Sequence, residues 1–312
     1  MADDLAAREQ RVPGFLESDR WFDWLLSVRH GGDAEYAAAL QPQLEDIRNR
    51  LLDHAALTAG LRIADIGCGD GFAGFGALER EPTSAVTFVD LSPALIAHAR
   101  ASANERGVVE RCRFLVASAE SLGALPTASV DVVLVRALLA YVPGKAQAVS
   151  EFRRILRPGG RISIVDPIFA DRAFSLAAIA AQLRAGTCGP ATRYFELLHR
   201  WRSGHYPDTT EAIAANPLTC YNERDLLRLL ENAGFVDVHL RLHIDSVSAL
   251  PMAWPAFLGS SPYAGAPTVG EILQSRFEKD ERREFEHYFR AGVEAGTTVE
   301  RNVNAYLFAQ GP

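Results

Sequence analysis

Apolar residues along the chain change their spacing twice, and each change predicts a different kind of structure. Residues 1–56 have a helical pattern, with Asp33 as a suitable N-cap for apolar residues that recur every three or four positions. Between 61 and 166, short runs of nearly continuous apolar residues alternate with amphipathic segments. Such runs are typical of strands that are buried on both faces of a sheet. They lie at 61–66, 86–89, 112–117, 130–135 and 161–165.

The alternation of these runs with helical segments predicts a parallel, doubly wound α/β sheet. Helices are expected at about 72–80, 93–106 and 144–157, and Ser92 followed by Pro93 is a typical helix start. After residue 166 the regular alternation of strands and helices stops. A helix at 222–232, a strand at 235–242, a helix at 280–295 and a last strand at 303–309 are expected there.

The pattern divides the chain into six segments, two of which are helical insertions. Thr268 and Glu271 form a capping box in the second insertion. The segments are an N-terminal helical lid (1–56), a ligand-binding core (57–170), a helical cap insertion (171–220), a core helix with the sixth strand (221–247), a second helical insertion (248–300) and a last core strand (301–312).

Composition excludes several classes of protein. The 312 residues are 48% hydrophobic and 23% charged, as in an ordinary globular protein. The formal charge of −7 argues against a general nucleic-acid binder, which needs a basic surface. The polar opening residues do not resemble a signal peptide, and the longest apolar stretch, around 174–181, is too short to span a membrane. A cytoplasmic protein without nucleic-acid or membrane partners is therefore expected.

The four cysteines are far apart and form no metal-ligand or disulfide pattern, so no metal is expected. Lysine occurs only at Lys145 and Lys279, and arginine supplies the remaining basic residues. With the abundant alanine, this usage indicates a GC-rich bacterial genome, a setting in which specialised metabolism is common.

A glycine loop carries the strongest chemical signal. Gly67, Gly69 and Gly71 follow a buried strand and precede a helix, so the backbone can approach a ligand closely. The helix N-terminus presents free N–H groups that suit a carboxylate or phosphate. Asp65, at the end of the strand, would be costly to bury without a partner. A ligand that carries an ammonium group would supply one.

A dinucleotide site is the first alternative. Gly69, Gly71 and Gly74 also match G-x-G-x-x-G, the fingerprint of NAD(P)-dependent oxidoreductases. That fingerprint begins almost directly after the strand, whereas here it would begin three residues after Ile66. Asp65 would also repel a pyrophosphate. The sequence therefore favours a cationic ligand.

Five motifs together resemble those of class I S-adenosylmethionine-dependent methyltransferases. They are DIGCGDG at 65–71, VDLS at 89–92, DVVL at 131–134, LRPGG at 156–160 and ENAGF at 231–235, and they cover about half of the chain. The resemblance implies a Rossmann-like, seven-stranded sheet whose last strand is antiparallel. It also implies that S-adenosylmethionine binds at the carboxyl ends of the first strands, leaving S-adenosylhomocysteine as product.

The resemblance assigns a role to individual residues. Asp65 and the backbone of the glycine loop would face the methionine moiety, and Asp90 would bind the ribose diol. Leu91 would pack on the adenine. Ser118 stands where the family often has an acidic residue, and Glu120 is close enough to substitute. Arg136 would lie beside the methyl group or the cofactor carboxylate. The expected cofactor-binding residues are Arg29, Asp65, Gly67, Cys68, Gly69, Asp90, Leu91, Ser118, Ala119 and Arg136.

Methyl transfer from a sulfonium is an in-line displacement, so the protein must mainly align the acceptor. A general base is needed only if the acceptor arrives protonated, and His30 and Tyr141 are the candidates. The insertions predict a closed chamber for a small aromatic or apolar molecule, methylated on nitrogen, oxygen or carbon. The residues expected around the acceptor are Trp21, Trp24, Tyr36, Tyr141, Asp166 and Tyr194.

Other functions and assemblies are also compatible with the sequence. A short peptide terminus would also fit as acceptor. A non-catalytic partner subunit could keep the fold, but its glycine loop or ribose acid should then be degraded, and neither is. A homodimer built through the insertions is compatible with the sequence, although no feature demands it.

Overall fold

The computed structural model describes residues 19–312, and its centre is a seven-stranded sheet. The strands are β1 (Arg62–Ile66), β2 (Ala85–Asp90), β3 (Cys112–Val116), β4 (Val130–Arg136), β5 (Leu156–Pro167), β6 (Val236–Ser248) and β7 (Val299–Gln310). Their order in the sheet is β3-β2-β1-β4-β5-β7-β6. Strands β1 to β5 pair in parallel, whereas β7 is antiparallel to both β5 and β6. The predicted doubly wound sheet with an antiparallel last strand is confirmed.

Twelve α-helices surround the sheet within residues 19–312. They are α1 (Arg20–Asp23), α2 (Ala34–Ala55), α3 (Phe72–Arg80), α4 (Pro93–Glu105), α5 (Lys145–Ile155), α6 (Ala170–Ala185), α7 (Thr192–Arg202), α8 (Thr210–Ala215), α9 (Glu223–Asn232), α10 (Trp254–Gly259), α11 (Val269–Arg276) and α12 (Lys279–Ala295). A π-helical turn, Trp24–Val28, continues α1. The sixfold division of the chain stays a prediction, and residues 1–18 of its lid lie outside the described part.

The predicted helix starts are confirmed by their hydrogen bonds. The Asp33 carboxylate accepts from the Tyr36 N–H at 2.9 Å, and the Ser92 hydroxyl accepts from the Leu95 N–H at 2.9 Å. Thr268 and its partner three residues later form the expected capping box. Each cap satisfies backbone donors that a helix N-terminus leaves free.

The last two strands extend further than their sequence pattern predicts. The strand expected to end at 242 continues to Ser248, and the strand expected from 303 begins at Val299. The two strands pair with each other as far as Ser248 and Val299, whereas β7 stops pairing with β5 at Asn304. The extension is therefore a two-stranded ribbon beyond the sheet. Because such a ribbon is not buried on both faces, its sequence lacks a continuous apolar run.

Apolar layers cover both faces of the sheet, and a third core lies in the insertions. One layer joins α5 and α9 to the sheet, and the other joins α2, α3 and α4 to it. The third core packs α7, α10, α11 and α12 together around Trp254 and Phe285. The insertions therefore have a hydrophobic core of their own.

The N-terminal turns are fixed across the carboxyl ends of the strands. Asp19 caps α1, and its carboxylate also accepts a hydrogen bond from the Ser92 hydroxyl, at the start of α4. On the other side, the Trp24 indole N–H donates to the Ser261 carbonyl at 3.1 Å. These contacts link the first described residues both to the core and to the second insertion.

Gly31 makes the closest of these approaches. Its φ is 60°, and a Cβ atom placed on it would lie 1.8 Å from the Ala256 carbonyl oxygen. Only glycine allows this backbone conformation and this approach together. The turn after the π-helical segment is thus pressed against α10.

Replacing Phe152 by alanine should destabilise the whole fold. The side chain is fully buried between α5 and the sheet, so Phe152→Ala should lower the free energy of unfolding by about 3–5 kcal/mol. Phe174, which is 54% exposed on α6, is the matched control, and its replacement by alanine should cost less than about 0.5 kcal/mol. Urea unfolding measures both values. Equal losses for the two variants would contradict the assignment of this core.

Candidate active site

A cavity of about 320 Å³ opens at the carboxyl ends of the parallel strands, beneath the N-terminal turns. Its core side is formed by the loops that follow β1 to β5, and its outer side by the π-helical turn and the loop after α10. Such a position is where ligands bind in open α/β sheets. The core-side lining includes Gly67, Gly69, Asp90, Leu91, Ser118, Ala119, Glu120, Arg136 and Leu138. The outer and distal lining includes Trp21, Trp24, Leu25, Arg29, Tyr141, Phe169, Pro262 and Asn304.

Asp90 joins the glycine loop to the end of β2. One carboxylate oxygen accepts from the Gly69 N–H at 2.9 Å, and the other accepts from the Ser92 N–H at 2.9 Å. Burial raises the pKa of this carboxyl, and the two N–H donors act in the opposite direction. The Gly67 N–H donates to the Val89 carbonyl at 2.8 Å, so the whole loop lies against β2. Asp90 is held at the wall of the cavity by these bonds.

Asp65 lies behind the loop and not on the cavity wall. Its side chain is 1% exposed, and its carboxylate accepts from the Gly74 N–H of α3 at 2.8 Å. Burial raises its pKa to about 7. The sequence predicts a direct contact between this carboxylate and the ammonium group of a ligand. The structure places Asp65 outside the cavity lining, so the cavity wall offers no such contact. A helix N–H supplies the partner that burial of the carboxylate demands.

Gly74 lacks a side chain at a point where α3 packs closely against β1 and β2. A Cβ atom on it would lie 2.4 Å from the Phe88 ring and 2.9 Å from the Asp65 carboxylate. This glycine, the third of the dinucleotide-like pattern, lets α3 approach β1 and β2. The expected Cys68 is also buried beside the loop, where burial raises the pKa of its thiol well above the usual value.

The polar residues after β3 form the far end of the cavity. Leu91 is half-exposed there, next to Ser118 and Ala119. The Glu120 carboxylate accepts from the Gly144 N–H at 2.7 Å and lies 3.4 Å from the Ser118 hydroxyl. Glu120 therefore lines the cavity close to Ser118, with one oxygen already bonded to the backbone.

Two arginines line the middle of the cavity. The Arg136 guanidinium is 3.8 Å from the Asp70 carboxylate and lies over the Phe72 ring. The Arg29 guanidinium lies over the Trp24 ring at 5.6 Å and has no hydrogen-bonded or ion-paired partner among residues 19–312. Burial lowers the pKa of Arg29, and the nearby charge of Arg136 lowers it further. Within residues 19–312, Asp70 is the one carboxylate within 4 Å of either guanidinium.

Aromatic rings form the remaining wall. Trp21 contacts Tyr141 edge-to-face at 5.3 Å between ring centroids, and Tyr141 meets Phe169 at 6.1 Å. Burial, followed by the charge of Asp166, raises the pKa of Tyr141 above its usual value. The phenol is therefore neutral at physiological pH and a poor acceptor of protons. The expected placement of Trp21, Trp24 and Tyr141 on the cavity is observed.

Besides Asp65 and Cys68, four predicted residues are not on the cavity. His30 and Tyr36 lie beside each other at 5.8 Å between ring centroids, and Tyr36 packs against the core of the insertions. Burial lowers the pKa of His30 to about 4. Tyr194 stacks on Phe289 in that same core. The expectation that His30, Tyr36 and Tyr194 face the ligand is not met by the cavity lining, because Tyr36 on α2 and Tyr194 on α7 pack on the core of the insertions and His30 lies against Tyr36.

Asp166 is the fourth residue, and its carboxylate is bonded to the backbone. The carboxylate is fully buried and accepts from the Leu139 N–H at 2.7 Å and the Ala140 N–H at 3.1 Å. Burial raises its pKa to about 7. Its bonds fix the short turn after β4, which carries Tyr141. Asp166 therefore helps to position Tyr141 on the cavity wall, although its own side chain does not line the cavity.

Some lining residues were not predicted from the sequence. Phe169, Pro262 and Asn304 come from the start of α6, the loop after α10 and strand β7. Asn304 is a polar residue inside an otherwise apolar strand pattern, which is a usable signal. Nothing in the sequence around Pro262 indicates that this residue lines the cavity.

Comparison with known proteins agrees with this geometry. Residues 64–164 match the family described as methyltransferase domain. The chain is 35% identical over 121 residues to aklanonic acid methyltransferase DauC of a Streptomyces species, covering 38% of this chain and 54% of that protein. It is 30% identical over 184 residues to the ubiquinone biosynthesis O-methyltransferase of Xanthomonas oryzae, covering 57% of this chain and 69% of that protein.

A solved structure shares the fold. Geranyl diphosphate methyltransferase, in complex with GPP and sinefungin, superposes with a TM-score of 0.52 at 20% identity, over 90% of this chain and 83% of that one. The fold, the glycine loop and the cavity are those of an S-adenosylmethionine-dependent methyltransferase. The chain belongs to the class I S-adenosylmethionine-dependent methyltransferases, and it spans about half the length of its relative DauC.

Metal-ligand clusters and membrane-spanning helices are both absent from the part of the chain that the structure describes. Between residues 19 and 312, no group of three or more His, Cys, Asp or Glu side chains is arranged to hold a metal ion. None of the helices in that range has the length and apolar character required to cross a bilayer.

Asp65 should make the stability of the protein depend on pH. Its pKa is raised from 3.8 to about 7 in the folded chain, so folding favours the protonated form. The free energy of unfolding should therefore fall as pH rises from about 4 to about 7, and the Asp65→Asn variant should show a shallower fall. Urea unfolding at several pH values measures the slope. The exposed Asp280→Asn variant, expected to keep the wild-type slope, is the control, and an unchanged slope in Asp65→Asn would contradict the prediction.

Proposed function

We propose that this protein transfers a methyl group from S-adenosylmethionine to a nitrogen, oxygen or carbon atom of a small, largely aromatic metabolite. The observation that carries the proposal is the continuity of one cavity. Its glycine-loop half contains Asp90 and Leu91, and its distal half contains Trp24, Tyr141 and Phe169. A cofactor and an acceptor could therefore meet without crossing bulk solvent. The relatives named for aklanonic acid and ubiquinone biosynthesis support a role in specialised or quinone-like metabolism.

The residues at the glycine-loop half suit this cofactor. Asp90 accepts backbone hydrogen bonds from Gly69 and Ser92, one on each oxygen, so its carboxylate has lone pairs left for a ribose diol. Leu91 offers an apolar, half-exposed surface for the adenine. Arg136 and Arg29 offer guanidinium groups for the methionine carboxylate. The Asp65 side chain is buried behind the loop and does not line the cavity.

When bound, the cofactor supplies an electrophilic methyl group with a good leaving group. The task of this chain is to hold the acceptor in line with the breaking bond and to exclude water. The rings of Trp21, Tyr141 and Phe169 fit that task because they make a rigid apolar wall with little side-chain freedom. The N-terminal turns are attached to the second insertion, and this attachment closes the outer side of the cavity.

Calorimetry with purified protein tests the class of cofactor. S-adenosylhomocysteine should bind as one molecule per chain, whereas NADH and NADPH should not bind. Binding of a reduced dinucleotide without binding of S-adenosylhomocysteine would favour the oxidoreductase alternative.

Asp90→Ala should weaken the binding of S-adenosylhomocysteine by about 1.5–3 kcal/mol, because two hydrogen bonds to a charged acceptor are lost. Calorimetry measures the affinity, and circular dichroism during heating checks that the variant folds. Asp46, exposed on α2, provides the matched control, since Asp46→Ala should leave the affinity unchanged. Unchanged affinity in Asp90→Ala would mean that the ribose is held elsewhere.

A further inference from the structure

One edge of the sheet has no partner among residues 19–312. Strand β6 is the end strand on that side, and it pairs with β7 alone. Sheets usually protect an edge by a short strand, a proline or a bulge, because unpaired N–H and C=O groups can pair with another strand. Strand β3, at the opposite edge, is short, with five residues. Between 239 and 248, β6 is long and contains neither a proline nor a shift in register.

A hydrogen bond of β7 shows which backbone groups of β6 face outward. The Val303 carbonyl accepts at 2.9 Å from the N–H that directly follows β5, so this residue points its backbone groups toward β5. Its neighbour Asn304 points the other way and lies opposite His243, because successive residues of an antiparallel strand alternate in direction. The backbone groups of His243 are therefore used within the sheet. Those of Leu242 and Ile244 are left for the open edge.

Large apolar side chains accompany these free backbone groups. Leu240 packs against the core layer that joins α5 and α9 to the sheet. Leu242 and Ile244 point to the same face as Leu240, and they are 37% and 52% exposed. A strand that paired with this edge would therefore cover apolar surface as well as satisfy backbone groups.

The other face of β6 carries two ions that are not paired within the described residues. Arg241 and Asp245 flank His243 at equal distance along the strand. The Arg241 guanidinium donates to the neutral His54 imidazole at 3.1 Å, and neither ion forms a salt bridge with any residue between 19 and 312. Four residues of an extended strand span about 13 Å, so the two ions cannot meet within one chain.

We propose that two copies of this chain pair through their β6 strands, antiparallel, about a twofold axis that passes through His243. In this register, Arg241 of each copy lies opposite Asp245 of the other. Leu242 of each copy likewise lies opposite Ile244 of the other, and their free backbone groups form the hydrogen bonds. Opposite charges and apolar side chains that face each other directly stabilise antiparallel strands. The inference does not depend on the proposed function.

The charges select this register over its neighbours. The axis must keep the outward backbone groups opposite each other, so the nearest alternatives place it at Leu242 or at Ile244. With the axis at Leu242, Arg241 would face His243. With the axis at Ile244, Arg241 would face Val247. Neither alternative gives the guanidinium an anion, whereas the axis at His243 pairs both ions of both copies.

Sedimentation equilibrium of the purified full chain tests the pairing. The wild-type protein should sediment at twice its mass of 34.0 kDa. Arg241→Glu and Asp245→Arg each place like charges opposite each other at two positions, so each should raise the Kd of the dimer about tenfold or more. The double variant, with both changes, should restore the dimer because the charges are exchanged. Arg283→Glu, 70% exposed on α12, is the matched control and should stay dimeric.

A cysteine on the axis tests the register independently. His243→Cys should form a disulfide between two copies under mild oxidation, because a residue on the axis lies opposite itself at about 4.5 Å between Cα atoms. Val247→Cys, 47% exposed, lies opposite His239 instead and should not crosslink. The wild-type protein controls for its four native cysteines.

Three results would overturn the inference. They are a monomeric wild-type protein, a dimer that withstands both single charge reversals, and crosslinking of Val247→Cys as readily as of His243→Cys. A persistent dimer would show that the copies meet elsewhere, for example through the helical insertions. Circular dichroism during heating checks that each variant folds, and a charge variant that unfolds leaves the decision to the cysteine pair.

Discussion

The bonding of one carboxylate to two backbone N–H groups organises the whole site. Asp90 holds the glycine loop through Gly69 and the start of α4 through Ser92. Because the loop follows β1 and α4 follows β2, this carboxylate fixes the relative position of two strand ends. The cavity between them, and everything that reaches it from the insertions, depends on that junction.

The second constraint is the attachment of the N-terminal turns to a distant part of the chain. Trp24 donates to the Ser261 carbonyl, and Gly31 is packed against Ala256. The outer wall therefore couples a segment before the core with an insertion after it. This coupling explains why the aromatic half of the cavity is enclosed although the parallel sheet alone offers only an open edge.

The sheet, its helix starts and the glycine-loop half of the cavity could be predicted because they depend on local patterns. Buried runs identify the strands, and Asp90 follows its strand directly. The partner of Asp65 could not be predicted, since sequence does not reveal whether a buried carboxylate meets a ligand or the N–H of Gly74. Tyr194 and Pro262 were misjudged or missed because the insertions have no repeating register with the sheet, and long-range packing alone decides which side chains turn toward the ligand.

The π-helical turn at Trp24–Val28 has a consequence for how the wall tolerates change in length. Its hydrogen bond runs from the Arg29 N–H to the Trp24 carbonyl, five residues apart, so the indole and guanidinium come to lie one above the other. Removing one residue from this segment would restore ordinary α-helical pairing. Residues four apart lie on the same face of an α-helix, so the guanidinium, now four positions after Trp24, would still lie beside the indole. The π-helical turn thus accommodates one extra residue while it keeps the indole and the guanidinium on one face of the cavity wall.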